Sequence, residues 1–286
     1  MRLLSFKKRL GRLLGSIEAR GDQNSYFHEF HVSQQWGLWP DRNRNPLTTS
    51  PQRFWSQADE DGIVNKILAR IPAHERCFVE FGCGDGLQNN SLNLLAQGWS
   101  GGWIDGSPLP YELPKGNSRV KFQNSWVTKE NIVNLFENAL PDSMSRKSHV
   151  GLLSMDLDGN DYHFLQEILG NGKSADVIVL EYNARFPVGA NWIMPYNSEH
   201  SWLGDDYFGA SLSSFTELLR SHGYKLVACS VQGSNAFYVH KNHLVQFEDI
   251  TQSEDEIYQP PLYYLIHQWA QKASGKTVLA LLEQLK

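Results

Sequence analysis

Apolar residues along this chain gather in short runs that alternate with stretches of helical spacing. Cys77-Phe78-Val79-Glu80-Phe81 reads as a buried strand, as do Gly98 to Asp105, Val150 to Asp156 and Asp176 to Glu181. Arg119 to Asn124 alternates polar and apolar residues as a further strand would. Between these runs, Ile63, Ile67 and Leu68 form one helical face, and Ile132, Val133 and Phe136 another within Thr128 to Leu140. Ser91 to Gln97, Tyr162 to Leu169 and Ala210 to Ser221 read as shorter helices, with Asp161 as N-cap of the second. Ser56 is expected to cap the first helix, and Asp59 three positions on completes a capping-box-like pattern. Two strands, Gly223 to Ser230 and Ala236 to His240, are joined by Gln232-Gly233-Ser234-Asn235 as a hairpin. Strand and helix in alternation predict an α/β fold built on a parallel sheet, with the hairpin closing it.

The ends of the chain carry a different pattern. Residues 1–20 hold six basic residues against one acid, with Leu3, Phe6, Leu10, Leu13, Leu14 and Ile17 at helical spacing. Charges interrupt any secretory h-region, so this segment is expected to stay attached. A basic amphipathic helix of this kind suits the surface of an anionic membrane, or packs on the domain. Residues 21–53 are expected to be an irregular lead-in or lid, because Pro40, Pro46 and Pro51 restrict their neighbours. Residues 54–245 form the main domain. Residues 246–286 read as an acidic solvated linker and a C-terminal helix with Leu262, Leu265, Ile266, Trp269, Val278 and Leu282 as packing residues.

Composition narrows this picture. With 286 residues, 41% of them hydrophobic, the chain can bury one substantial core. No apolar run approaches the ~18 residues of a membrane span. A net charge of −5 with no basic cluster in the main domain gives no reason to expect nucleic acid. Cys77, Cys83 and Cys229 are odd in number and lack C-x-x-C spacing, which argues against a disulfide framework or a zinc site and suits a reducing cytoplasm.

The candidate chemistry centres on Glu80-x-Gly82-x-Gly84-x-Gly86. Glycines at alternate positions after a buried strand let a ligand lie against the backbone, and a dinucleotide fingerprint would need its third glycine at Leu87. Asp105 ends the next strand nineteen positions after Gly86, near the separation at which an acid reaches the ribose of a bound nucleoside. Val150 to Asp161 runs from an apolar strand into Asp156, Asp158 and Asp161, and Glu181 ends the following strand. The glycine motif resembles the first motif of class I S-adenosylmethionine (SAM) dependent methyltransferases. Ser56-Gln57-x-x-Glu60-Asp61 and Asp156-x-Asp158-Gly159-x-Asp161 resemble two segments of the FkbM family within that class, with Asp59 in place of a glycine and Asp in place of Glu at two positions.

That resemblance implies a Rossmann-like, seven-stranded, mostly parallel sheet with an antiparallel last strand and helices on both faces. It implies SAM as cofactor, with Gly82, Gly84 and Gly86 around its amino-acid end, Glu80 or Asp85 near its ammonium group, and Asn124 near adenine. Gln57 and Asp105 complete the expected cofactor set. The implied activity is O-methylation of a sugar or glycan-like hydroxyl. An alcohol acceptor needs a group to take its proton, and His200, Asp156, Asp158 and Glu181 are the nominees. The long aromatic loop Ala184 to Gly209 is expected to cover the acceptor. Two alternatives stand beside this reading. One is a metal-assisted enzyme using Asp156, Glu181 and Asn183. The other is a non-catalytic SAM-fold module of a membrane-associated glycan-assembly complex.

Overall fold

A computed structural model describes residues 27–28, 31–32, 34–35, 44–72, 75–141, 148–263 and 275–284. The basic segment 1–20 lies outside the described residues, as do most of the lead-in before residue 44 and the expected packing residues Leu265, Ile266 and Trp269. Among the described residues no helix is long and apolar enough to cross a membrane.

Seven strands form one sheet: β1 (Cys77–Phe81), β2 (Ser100–Asp105), β3 (Val120–Asn124), β4 (His149–Met155), β5 (Ser174–Glu181), β6 (Tyr224–Cys229) and β7 (Asn235–His240). Their spatial order is β3-β2-β1-β4-β5-β7-β6. Neighbours from β3 to β5 pair in parallel, while β7 inserts antiparallel between β5 and β6. The order turns back at β1, where the chain first builds outward to β3 and then returns to β4 on the other side. In open α/β sheets this reversal opens a crevice at the carboxyl ends of the strands. The middle strands read as continuous apolar runs because helices cover both faces of a parallel sheet. Trp103, Phe78, Phe81, Phe136, Phe215 and Tyr238 are fully enclosed in the core.

The helices are α1 (Glu60–Leu68), α2 (Leu92–Ala96), α3 (Ile132–Ala139), α4 (Asp161–Gly170), α5 (Leu212–Ser221), α6 (Glu254–Ile257) and α7 (Gly275–Gln284). Two expected caps are corrected. Asp59, not Ser56, stands at the N-cap position of α1 and its side chain makes no cap bond there, although the Ser56 hydroxyl accepts from the Asp61 amide in the first turn at 3.2 Å. Instead Asp61 folds back and accepts from the backbone amides of Phe54 (3.1 Å), Trp55 (2.6 Å) and Ser56 (3.1 Å). At α4 the N-cap is Asn160, and Asp161 is the first helical residue. At α5 a side chain caps as the sequence pattern favours, with Ser211 accepting from the Ser214 amide.

The acidic linker is also corrected, because much of it is docked rather than solvated. Ile250 and Ile257 are buried, Arg70 pairs with Asp249 at 2.7 Å, and Ser213 donates to Glu254. The Tyr182 hydroxyl donates to the Gln259 carbonyl, tying this segment to the end of β5. Isolated apolar residues among acids carry no periodicity, so the sequence pattern could not announce this packing. Val278 and Leu282 of α7 are buried as expected.

Candidate functional site

The crevice at the carboxyl ends of the strands is a cavity of about 1150 Å³. That exceeds the ~300–1,000 Å³ usual for one small ligand and leaves room for two reactants. Its floor is a row of residues in register across four strands. One step beyond the aligned Phe81, Met155 and Leu180 come Gly82, Asp156 and Glu181, and Asn235 of β7 pairs directly with Glu181.

Gly82 stands in this row because nothing larger fits. Its φ is +80°, and a Cβ would lie 1.6 Å from the Asp156 carbonyl oxygen. Gly84 has φ +55°, yet a Cβ there would meet nothing within 4 Å. Its missing side chain leaves space on the cavity itself. The Asp105 carboxylate holds this loop open by accepting from the Gly84 amide at 2.8 Å and the Ser107 amide at 2.7 Å. Each oxygen keeps a lone pair for a ligand hydroxyl.

Glu80 has a different part from the one expected. It lines the cavity, but its carboxylate is spent on the Asn90 amide (2.8 Å), the Ser91 amide (3.3 Å) and the Ser91 hydroxyl, fastening the loop to the start of α2. Burial pushes its carboxyl up to about 7 despite these hydrogen bonds. Beside it, the Gln88 and Asn89 side-chain amides also line the cavity, and their NH₂ groups are buried without partners. Buried donors of this kind mark where a ligand acceptor belongs.

Asp156, Asp158 and Glu181 converge on the other half. Asp158 adopts the left-handed region at φ +54°, unusual for a residue other than glycine. Asp161 fixes that turn, its carboxylate accepting from the Leu157 amide at 2.8 Å and the Gly159 amide at 2.9 Å. One carboxylate oxygen from each of Asp156, Asp158 and Glu181 lies within 4.8 Å of the others. Burial raises all three carboxyls above their ordinary range. Their mutual repulsion raises Asp156 and Glu181 further, while His200 partly offsets the effect on Asp158.

The loop after β5 closes one side, as its length suggested. An isolated bridge between Ile193 and Ala210 and paired bonds between Asn160 and Asn197 pin it over the start of α4. It brings His200 and Trp202 to the cavity. His200 Nε2 lies 3.2 Å from the Asp158 carbonyl oxygen. A carbonyl only accepts, so Nε2 carries the hydrogen and Nδ1 is left with its lone pair in the neutral ring.

The structure thus brings Gln57, Glu80, Gly82, Gly84, Asp85, Asp105, Asp156, Glu181 and His200 around one cavity. Three expected residues are placed elsewhere. Gly86 packs under Tyr111, whose hydroxyl donates to its carbonyl, and does not line the cavity. Asn124 donates to the Asp105 carbonyl and does not line the cavity, whereas Trp126, two residues on and half exposed, does. Asn183 uses its amide on the Asp206 and Phe208 carbonyls, so it tethers the loop and is no part of the acid cluster. The sequence marks Gln88 and Asn89 as the polar helix start of the glycine loop without assigning their side chains to the ligand, and it gives no sign of Asn235 as a lining residue.

No protein-family model matches the chain. No curated protein matches it either. The functional reading therefore rests on the site.

Proposed function

We propose that this chain is a SAM-dependent O-methyltransferase of FkbM-like character, acting on a hydroxyl of a sugar or glycan-like acceptor. The observation that carries it is the division of one cavity into two chemically distinct halves. One half has an open glycine backbone at Gly84, the Asp105 carboxylate and unpartnered amide donors at Gln88 and Asn89. The other has the convergent acids and His200. The seven-stranded, mostly parallel sheet with its antiparallel β7 is what the resemblance leads us to expect.

The residues present fit SAM. Gln88 and Asn89 would donate to the carboxylate of its amino-acid end, Asp85 would face the ammonium group, Asp105 would accept from the ribose hydroxyls, and Trp126 offers a ring face to the base. Glu80 holds the loop that presents them. Bound SAM supplies a methyl group made electrophilic by the sulfonium. What remains for the chain is to align an acceptor oxygen, keep water away and take a proton. His200, with Nδ1 free to accept, is the base in this scheme, and the Ala184–Gly209 loop supplies aromatic surface for the acceptor.

Calorimetry with SAM and S-adenosylhomocysteine tests the first half. Gly84→Val should abolish binding, both because its side chain enters the cavity and because a β-branched residue is strained at φ +55°, while circular dichroism should show the chain still folded, since the change lies on the cavity and not in the core. Once transfer to a sugar acceptor is detected, His200→Ala should lower kcat by roughly 10²–10⁴-fold with unchanged SAM affinity. Absence of binding by the wild-type protein would sink the reading and leave the non-catalytic alternative. An unchanged kcat in the variant would move proton removal to the carboxylates.

A further inference from the structure

Glu181 of β5 and Asn235 of β7 sit directly opposite each other and so point to one face of the sheet, and Asp156 lies one step past the end of β4, beyond the aligned Met155 and Leu180. Asp158 joins them from the left-handed turn just beyond β4. Among the described residues, no lysine or arginine forms an ion pair with Asp156, Asp158 or Glu181. Three carboxylates this close repel one another unless positive charge lies among them.

A second observation, separate from the acids, points the same way. Asn235 is only 6% exposed, lines the cavity, and its side-chain oxygen has no hydrogen-bond partner. Its NH₂ group is fixed by Glu60 and Ser234, so the amide cannot turn round without pressing its oxygen on the Glu60 carboxylate. The Oε2 atom of Glu181, directly across the strand pair, is likewise buried without a partner. Two neighbouring orphan acceptors beside two more carboxylates call for a donor or a cation that the described side chains do not supply, since Arg185 also lines the cavity but forms no ion pair with these acids.

We infer that Asp156, Asp158 and Glu181 hold a hard divalent cation, with the side-chain oxygen of Asn235 completing the protein's share of the ligands. An all-oxygen set with three carboxylates selects Mg²⁺, Mn²⁺ or Ca²⁺ over thiophilic metals. The carboxylate oxygens all lie within 4.8 Å of one another, no more than two metal–oxygen bonds of ~2.4 Å, so one ion can reach all three. Asn183, the ligand that strand-end spacing suggested, is replaced by Asp158 and Asn235, because its amide is committed to the loop. The site goes beyond the methyl-transfer reading and does not depend on it.

The test uses the full chain, stripped with chelator and dialysed, titrated with Mn²⁺ and followed by electron paramagnetic resonance of free Mn²⁺, without SAM. One saturable site per chain is expected, with Ca²⁺ or Mg²⁺ competing. Asp156→Asn and Glu181→Gln should each weaken Mn²⁺ binding at least ~100-fold, and Asn235→Ala by about 10-fold, the scale seen when ligands or their supports are removed. Circular dichroism and urea unfolding establish that each variant is folded, and Glu181→Gln is isosteric should Asp156→Asn fail to fold. No saturable site in the wild-type chain at millimolar Mn²⁺, or equal affinity in wild type and Glu181→Gln, would overturn the proposal. So would saturable binding of methylammonium with no Mn²⁺ site, which would assign the acids to an amine. Because SAM plays no part, a failure of cofactor binding and a failure of this site are read separately.

Discussion

Glu80 shows how a single buried carboxyl at the site couples loop structure to pH. In the folded chain burial raises its carboxyl to about 7, whereas an unfolded chain releases that proton near 4.5. Below about 4.5 both states hold the proton, and above about 7 both have lost it. Between these values the folded state binds the extra proton, so the stability linked to Glu80 is present at low pH and drains away as pH rises. Glu80→Gln cannot ionise. Urea unfolding of the two proteins from pH 4 to pH 8 should therefore show wild type losing stability relative to the variant across that window, with no further divergence above it. A constant difference over the whole range would show that Glu80 is not protonated in the folded chain.

At the scale of elements, the start of α1 illustrates acids that look like chemistry and serve architecture. Asp59 accepts from the Val231 amide at 3.0 Å, Glu60 accepts from the Ala58 amide at 2.8 Å and from Gln232, and Asp61 gathers the three amides before it. Together they seat the helix on the β6–β7 turn, which in turn positions Asn235. Burial raises the carboxyls of Asp59 and Asp61, a sign that these groups are held at some electrostatic cost. Asp61→Ala leaves the Trp55 and Ser56 amides without their acceptor. We expect a loss of about 1–3 kcal/mol in urea unfolding, the usual cost of orphaned buried donors. A stability unchanged from wild type would mean that water or a neighbouring group replaces the carboxylate.

For the whole molecule, the expected attachment of residues 1–20 to membranes is a separate question from the site. If their basic, amphipathic pattern binds anionic lipid, the full chain should float with phosphatidylserine liposomes at low salt and release steeply as salt rises. A chain lacking residues 1–20 should stay behind while keeping the same SAM affinity. Equal flotation of both would assign the segment to packing instead.

Much of the architecture was legible because it follows from local periodicity. Runs such as Phe78 to Phe81 and Val150 to Met155 are of strand length and read as strands covered on both faces, and their alternation with helices predicts a parallel sheet. The glycines and the acids at strand ends could be placed on one edge by the same logic. Their partners could not, since partners are set by register between strands distant in sequence. Asn235 meets Glu181 across fifty-four positions of chain because β7 slots antiparallel beside β5. Asp158 joins Asp156 only through a left-handed turn that Asp161 enforces, and Glu80 turns from ligand to loop because Ser91 folds back on it. Hydrogen-bond commitments removed Gly86, Asn124 and Asn183 from the cavity while leaving Trp126, Gln88 and Asn89 facing it. Residue type and spacing determined which edge of the sheet would carry the chemistry; which oxygens and amides remain free to do it was decided by the packing that satisfied all the others.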